Sequence, residues 1–230
     1  AGSPGSQGST NATGTSARFK YPRGIATDGT NLFVADSDNH AIRKIVISTG
    51  VVTTLAGSAG SQGSTNGTGS TARFKYPRGI TTDGINLFVA DTNNHLIRKI
   101  VISTGAVTTL AGSTSSGSTD ATGTSARFNG QRGITTDGKN LYVADYNNRK
   151  IRKIALRGTL TADVNLHNLD DDTNATINLA SSDTGEATVS PATLTFTEGN
   201  WNTAQTVTVT AVNDTDSDRN QSYRISLIAS

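Results

Sequence analysis

The sequence predicts an all-β protein in two parts: a β-propeller segment of three four-stranded blades over residues 1–157, then an antiparallel β-sandwich over 158–230. The first observation behind this is internal repetition. ARFKYPRGIATDGTNLFVADSDNHAIRKI starts at Ala17, ARFKYPRGITTDGINLFVADTNNHLIRKI at Ala72 and ARFNGQRGITTDGKNLYVADYNNRKIRKI at Ala126, spaced 55 and then 54 residues apart. A period of this length marks a propeller or solenoid, in which each copy needs a neighbour to bury its faces. The second is strand and turn chemistry, four short strand patterns per repeat. The third is a change of character after Arg157, where the period stops.

In the second repeat the strands are read at 79–82, 86–91, 96–102 and 106–111, separated by TDG, TNN and STG. Asp-Gly is a strong hairpin signal, because glycine accepts positive φ without a Cβ clash. NLFVAD is apolar on both faces, with Leu87 and Val89 one way and Phe88 and Ala90 the other. Such a strand belongs in a sheet covered on both sides, as a blade is by its neighbours. Four strands per unit favour the propeller over a solenoid. The third repeat lacks the VTTLAG strand, and TLTADVNL within 158–166 is the expected substitute. Gly/Ser/Thr tracts at 2–16, 57–71 and 112–125 read as long inter-blade loops on one face, tolerant of shortening. Phe19, Phe74 and Phe128 are placed to anchor their ends.

The ordered blocks RGI-x-TDG-x-NLFVAD-x-x-NH-x-IRKI and VTTLAG resemble the NHL repeat of six-bladed propellers over residues 17–157. The third copy departs from the Asn-His pair to Asn148-Arg149. That family includes RNA-binding, protein-binding and enzymatic members, so the resemblance implies a fold more firmly than an activity. TINLAS, ATVS, ATLTFT, AQTVTVTAV and YRISLIA in the tail alternate β-branched residues between polar turns, a sandwich pattern. The stretch SSDTGEATVSPATLTFTEGNWNTAQTVTVTAVNDTDSD resembles a Calx-beta-like or immunoglobulin-like module of bacterial surface and secreted proteins.

Composition narrows the classes. There is no cysteine or methionine, so no disulfide framework or thiolate metal site is available, and oxidation has little to attack. No apolar run reaches the roughly 20 residues of a spanning helix. The first residues, AGS rather than Met, suit a mature protein or a fragment. The net charge of +2 hides a division: residues 1–157 carry +10 and residues 158–230 carry −8. Two modules with different partners, or modules that attract each other between molecules, account for it, and so do two independently solvated surfaces.

Candidate sites follow. Arg18, Lys20, Arg23, Arg73, Lys75, Arg78, Arg127 and Arg132 recur with the blade period and form a candidate basic rim for an anionic ligand. The IRKI cations are read as solvated blade edges. Asp214, Asp216 and Asp218 alternate on one loop, and Asp170, Asp171 and Asp172 add charge if the same end of the sandwich collects both loops. Hard oxygen ligands of this kind suit calcium, which is therefore the only cofactor expectation; a solvated acidic turn is the alternative. His40 and His95 recur at equivalent places and read as structural hydrogen-bonding groups, and Asp36, Asp91 and Asp145 as turn caps. Trp201 reads as cover for the sandwich edge. Asn11, Asn66, Asn174, Asn213 and Asn220 begin N-x-[ST] triplets, which are expected by chance in so Asn- and Thr-rich a chain.

No nucleophile elbow, phosphate loop or zinc-binding histidine pair occurs, and near-identical blades arrange like groups rather than unlike ones. The expectation is an extracellular, bacterial cell-surface protein, structural or adhesive and not an enzyme. It assembles with itself, as a dimer or a head-to-tail polymer, or with other surface proteins. The alternative is a propeller that binds a soluble anionic ligand, polysaccharide or RNA, on its basic surface, with nucleic acid the less favoured of the two; the third reading is a propeller lyase or hydrolase.

Overall fold

A computed structural model describes residues 1–156, 159–164, 175–181, 187–197, 199–200, 203–211 and 225–229. They form two compact units, residues 1–156 and 157–230. The protein is all-β, and among the described residues no helix is long and apolar enough to cross a membrane.

Blade 1 is a four-stranded antiparallel meander of β1 (Pro22–Thr27), β2 (Asn31–Asp36), β3 (Ala41–Val46) and β4 (Val52–Gly57). In blade 2 a short β5 (Gly67–Thr68) joins the outer edge of β6 (Pro77–Thr82), β7 (Asn86–Asp91), β8 (Leu96–Val101) and β9 (Ala106–Gly112). Among the described residues blade 3 has three strands, not four: β10 (Gly133–Thr136), β11 (Asn140–Asp145) and β12 (Lys150–Ala155). The expected substitute strand goes elsewhere. β13 (Thr159–Val164) pairs antiparallel with β17 (Gln205–Ala211) in the second unit.

The hairpins follow from their sequences. In TDG-x-N, Asp83 Oδ1 accepts the N–H groups of Ile85 and Asn86 at 2.9 and 2.6 Å, while Gly84 takes φ +92°. The side chain thus closes the turn that glycine permits. After β2, β7 and β11 the chain makes a 3₁₀ turn that ends in a left-handed residue, His40, His95 or Arg149.

The core lies between the blades. Phe33, Ala35, Ile42 and Ala56 of blade 1 meet Ile80, Leu87, Val89, Ile100 and Val107 of blade 2. On the other side of blade 2, Phe88, Ala90, Ile97 and Ala111 meet Leu141 and Val143 of blade 3. The alternation inside NLFVAD is what serves both neighbours. Each large apolar side chain buried here contributes about 1.5–3 kcal/mol. Consecutive first strands also pack backbone to backbone: a Cβ on Gly24 would stand 2.2 Å from the Arg78 carbonyl oxygen, and one on Gly79 2.3 Å from that of Arg132. Only glycine fits so close an approach.

Among the described residues the second unit has two three-stranded antiparallel sheets. One is β13, β17 and β15 (Ala187–Ser190); the other is β16 (Thr193–Phe196), β14 (Ala175–Ser181) and β18 (Ile225–Ala229). Ile177, Leu179, Leu194, Phe196 and Val207 form the core between them. Trp201, Asp170, Asp171, Asp172, Asp214, Asp216 and Asp218 lie outside the described residues, so the calcium expectation does too.

Candidate functional site: an arginine row on the first strands

The repeated cations divide by role. Arg43, Arg98 and Arg152, the arginines of IRKI, are not solvated edges; they are buried. Arg98 Nη1 donates to Asp91 Oδ2 at 3.0 Å and to the Arg73 carbonyl at 3.0 Å, and Nη2 donates to the Thr65 carbonyl and Asn66 Oδ1 at 3.1 and 2.9 Å. Arg43 repeats this with Asp36, Arg18, Thr10 and Asn11. Arg152 does so with Asp145, Arg127 and Thr119, and Asp120 replaces the asparagine at 2.6 Å. Each guanidinium also lies over the phenylalanine that ends the tract, at 5.1 Å (Phe19), 5.2 Å (Phe74) and 4.8 Å (Phe128).

The tracts are therefore packed structure rather than tolerant loops. Tract amides and carbonyls pair with the blade that follows, as in Gly63 N–H to the Phe74 carbonyl and Arg73 N–H to the Thr65 carbonyl, both repeated in the other copies. Asn39, Asn94 and Asn148 each tie a tract carbonyl to the buried aspartate. The buried aspartates do help fix turns, accepting the N–H groups of Lys20, Lys75 and Asn129. Burial raises the pKa of Asp36, and that of Asp91 to about 6, against the opposing hydrogen bonds and the arginine charge. Burial likewise lowers Arg98.

Arg18, Arg73 and Arg127 are occupied as well. Each Nη1 donates to carbonyls of the 3₁₀ turn before it, Arg18 to Thr15 and Ala17 and Arg73 to Ser70 and Ala72. Arg127 contacts Thr124, Ser125 and Ala126. Lys20 and Lys75 stand on the turn that enters each blade, close enough to His40 to lower its pKa, though burial is the larger cause. The histidines are structural: His40 Nδ1 accepts the Tyr76 N–H and His95 Nδ1 the Gly130 N–H, both at 3.3 Å across the blade junction. An accepting Nδ1 leaves the ring proton on Nε2.

Arg23, Arg78 and Arg132 remain. They hold the same place on β1, at the start of β6 and just before β10, the three strands that pack side by side. Burial lowers the pKa of Arg78 first, and the like charges of Arg23 and Arg132 lower it further, while Asp38 and Tyr146 oppose. Arg132 stacks over the Tyr146 ring at 3.6 Å. The described ion pairs involve only Arg43, Arg98 and Arg152, so among the described residues no carboxylate pairs with this row. Sequence reasoning placed these three in a basic rim but missed Tyr146. Its signal was available: tyrosine stands where the earlier copies have Ser37 and Thr92.

Unpaired planar guanidinium groups in a row suit carboxylate, sulfate or phosphate, each taking two parallel N–H donors. Among the described residues, no three His, Cys, Asp or Glu side chains gather as a metal site would require.

No family model matches the chain. The chain is 34% identical over 171 residues to NHL repeat-containing protein 2 of Bos taurus, covering 68% of this chain and 24% of that protein. It thus spans about a quarter of the length of the curated relatives it matches. A Bacteroides thetaiotaomicron protein of unknown function superposes with a TM-score of 0.51 at 29% identity, over 54% of this chain and 32% of that one. An auxiliary nutrient binding protein from Bacteroides ovatus superposes with a TM-score of 0.53 at 24% identity, over 61% and 38% of the two chains. The fold of the repeat unit is NHL-type.

Proposed function

We propose that the repeat unit is the binding part of an extracellular, non-enzymatic surface protein, structural or adhesive, and that it holds an anionic polysaccharide along Arg23, Arg78 and Arg132. The second unit acts as a Calx-beta-like surface module. The observation that carries this reading is the unpaired arginine row, in which Arg78 sits between two like charges. An arriving anion relieves that repulsion. A lyase or hydrolase needs unlike groups converging on one point; the described residues place like groups in line.

Titration with a sulfated polysaccharide and with single-stranded RNA tests the proposal. Binding of the polysaccharide weakens steeply with salt, and Arg78→Ala lowers affinity about tenfold, the loss of one charge-assisted contact. Aromatic platforms for stacking bases are sparse on the row, so RNA binds more weakly. Tighter RNA binding, or an Arg78→Ala variant with unchanged affinity, overturns the reading.

A further inference from the structure

We propose that His40 and His95 make the arginine row acid-sensitive: a proton on either ring releases the backbone that carries Arg78 or Arg132, and anion binding weakens. This rests on the reading of the row as an anion site. His40 Nδ1 accepts the Tyr76 N–H and His95 Nδ1 the Gly130 N–H, both at 3.3 Å across a blade junction. Tyr76 stands two residues before Arg78, and Gly130 two residues before Arg132. An amide N–H can only donate, so each Nδ1 accepts it only while carrying no proton. Protonation sets N–H against N–H and leaves a backbone donor without its acceptor.

Little else fixes where these arginines stand. The register of β6 with β7 breaks between Pro77 and Ile80, so Arg78 lies in an irregular step of the ladder. Its Nε is buried without a hydrogen-bond partner. The Arg78 carbonyl oxygen packs against Gly24 and that of Arg132 against Gly79, which pins the chain at the arginine itself. Ahead of it the pin is the histidine bond. That bond acts where the backbone needs holding: Tyr76 takes φ +51° and Gly130 φ +62°, and a tyrosine in the left-handed region is uncommon. The supports are themselves fixed. His40 and His95 donate their backbone N–H groups to the Ser37 and Thr92 carbonyls at 3.0 and 3.2 Å, and the His40 ring meets the Tyr76 ring edge-on at 4.6 Å.

The charges around the rings set when they take the proton. Burial lowers the pKa of both and is the largest cause. At His40 the Asp38 charge and the Ser37 backbone bond oppose burial, while Lys20 and Lys75 add to it. At His95 the Asp145 charge opposes and Lys75 adds. Both rings are therefore neutral at neutral pH and take a proton below the ordinary histidine value of about 6.5. Two competing effects on the row then have opposite signs. Added positive charge alone tightens an anion by Coulomb attraction. Release of the backbone loosens it, because the guanidinium groups no longer hold the line that an anion meets.

Titration of the full 230-residue chain with dextran sulfate, whose sulfate esters stay ionised, tests the proposal. Between about pH 7.5 and about pH 5 the wild-type affinity falls about tenfold. His40→Asn with His95→Asn is the decisive variant. The carboxamide oxygen accepts the same N–H, asparagine suits the left-handed backbone, and nothing titrates. Its neutral affinity is unchanged and its acid loss disappears. Asp91 titrates in both proteins, so the difference belongs to the histidines. Nitrogen-15 NMR reads the coupling with no ligand present. The Tyr76 and Gly130 amides and the Arg78 and Arg132 Nε–H groups shift together with the imidazoles in the wild type, and not in the variant. Binding that tightens on acidification, an equal acid loss in the folded variant, or amides that ignore the imidazole titration overturns the proposal. A chain that binds no dextran sulfate while those resonances still move together refutes the anion reading and leaves the histidine coupling standing.

Discussion

Blade 2 and blade 3 share most of their sequence and differ in what covers them. In blade 2, Ile97, Arg98 and Asp91 are fully buried; in blade 3, Ile151 is 75% exposed and Arg152 is 8% exposed, with an extra pair to the solvated Asp120. The internal design of a blade is the same where one face is exposed. Its energetics should differ, because a buried charge or a buried isoleucine gains its weight from what encloses it.

The largest expected effect is at the guanidinium. Arg98→Ala leaves Asp91 buried without its cation and costs about 3–5 kcal/mol. Arg152→Ala costs about half as much, since water enters more readily at the open blade and Asp120 is already hydrated. Urea denaturation of the full chain gives both values, and equal losses would break the comparison. The next effect is apolar. Ile97→Ala costs about 2–5 kcal/mol, whereas Ile151→Ala changes stability by less than about 0.5 kcal/mol. The smallest concerns pH. Asp91, raised by burial to about 6, keeps a proton in the folded state that the unfolded chain has released. Stability therefore falls as pH rises from about 4 to about 6 and levels above. Asp91→Asn, though weaker throughout, should flatten that slope in denaturation series between pH 4 and pH 7; an unchanged slope would assign it to other groups.

Much of this was legible in the sequence. The period, the strands of blade 2 and the two-faced burial of NLFVAD follow from local pattern, as does the structural use of His40 and His95, because each depends on residues close in the chain or repeated in register. The buried clamp was not read, although Asp91, Asn94 and Arg98 recur at fixed offsets. A cation in a strand resembles a solvated edge until its acceptors are known. Three acceptors of Arg98 lie on the Gly/Ser/Thr tract and the turn after it, 25 to 33 residues away for the carbonyls of Arg73 and Thr65. The same blindness made the tract look like slack chain. The fate of TLTADVNL was hidden for a different reason: edge strands are chosen by competition between sheets, and β17 offers a full six-residue register.

The clamp also sets where the gene can be cut. Every described ion pair closes inside one repeat, and each joins a blade to the tract before it or to its own turn. A duplicated segment that runs from tract to VTTLAG carries its own acceptors and can be inserted as a finished part. One that begins at the blade and ends with the following tract separates an arginine from the carbonyls that solvate it, leaving charge stranded in an apolar wall. A self-sufficient segment of 54 or 55 residues therefore has its boundary at the end of the last strand of a blade, where Gly57 and Gly112 stand.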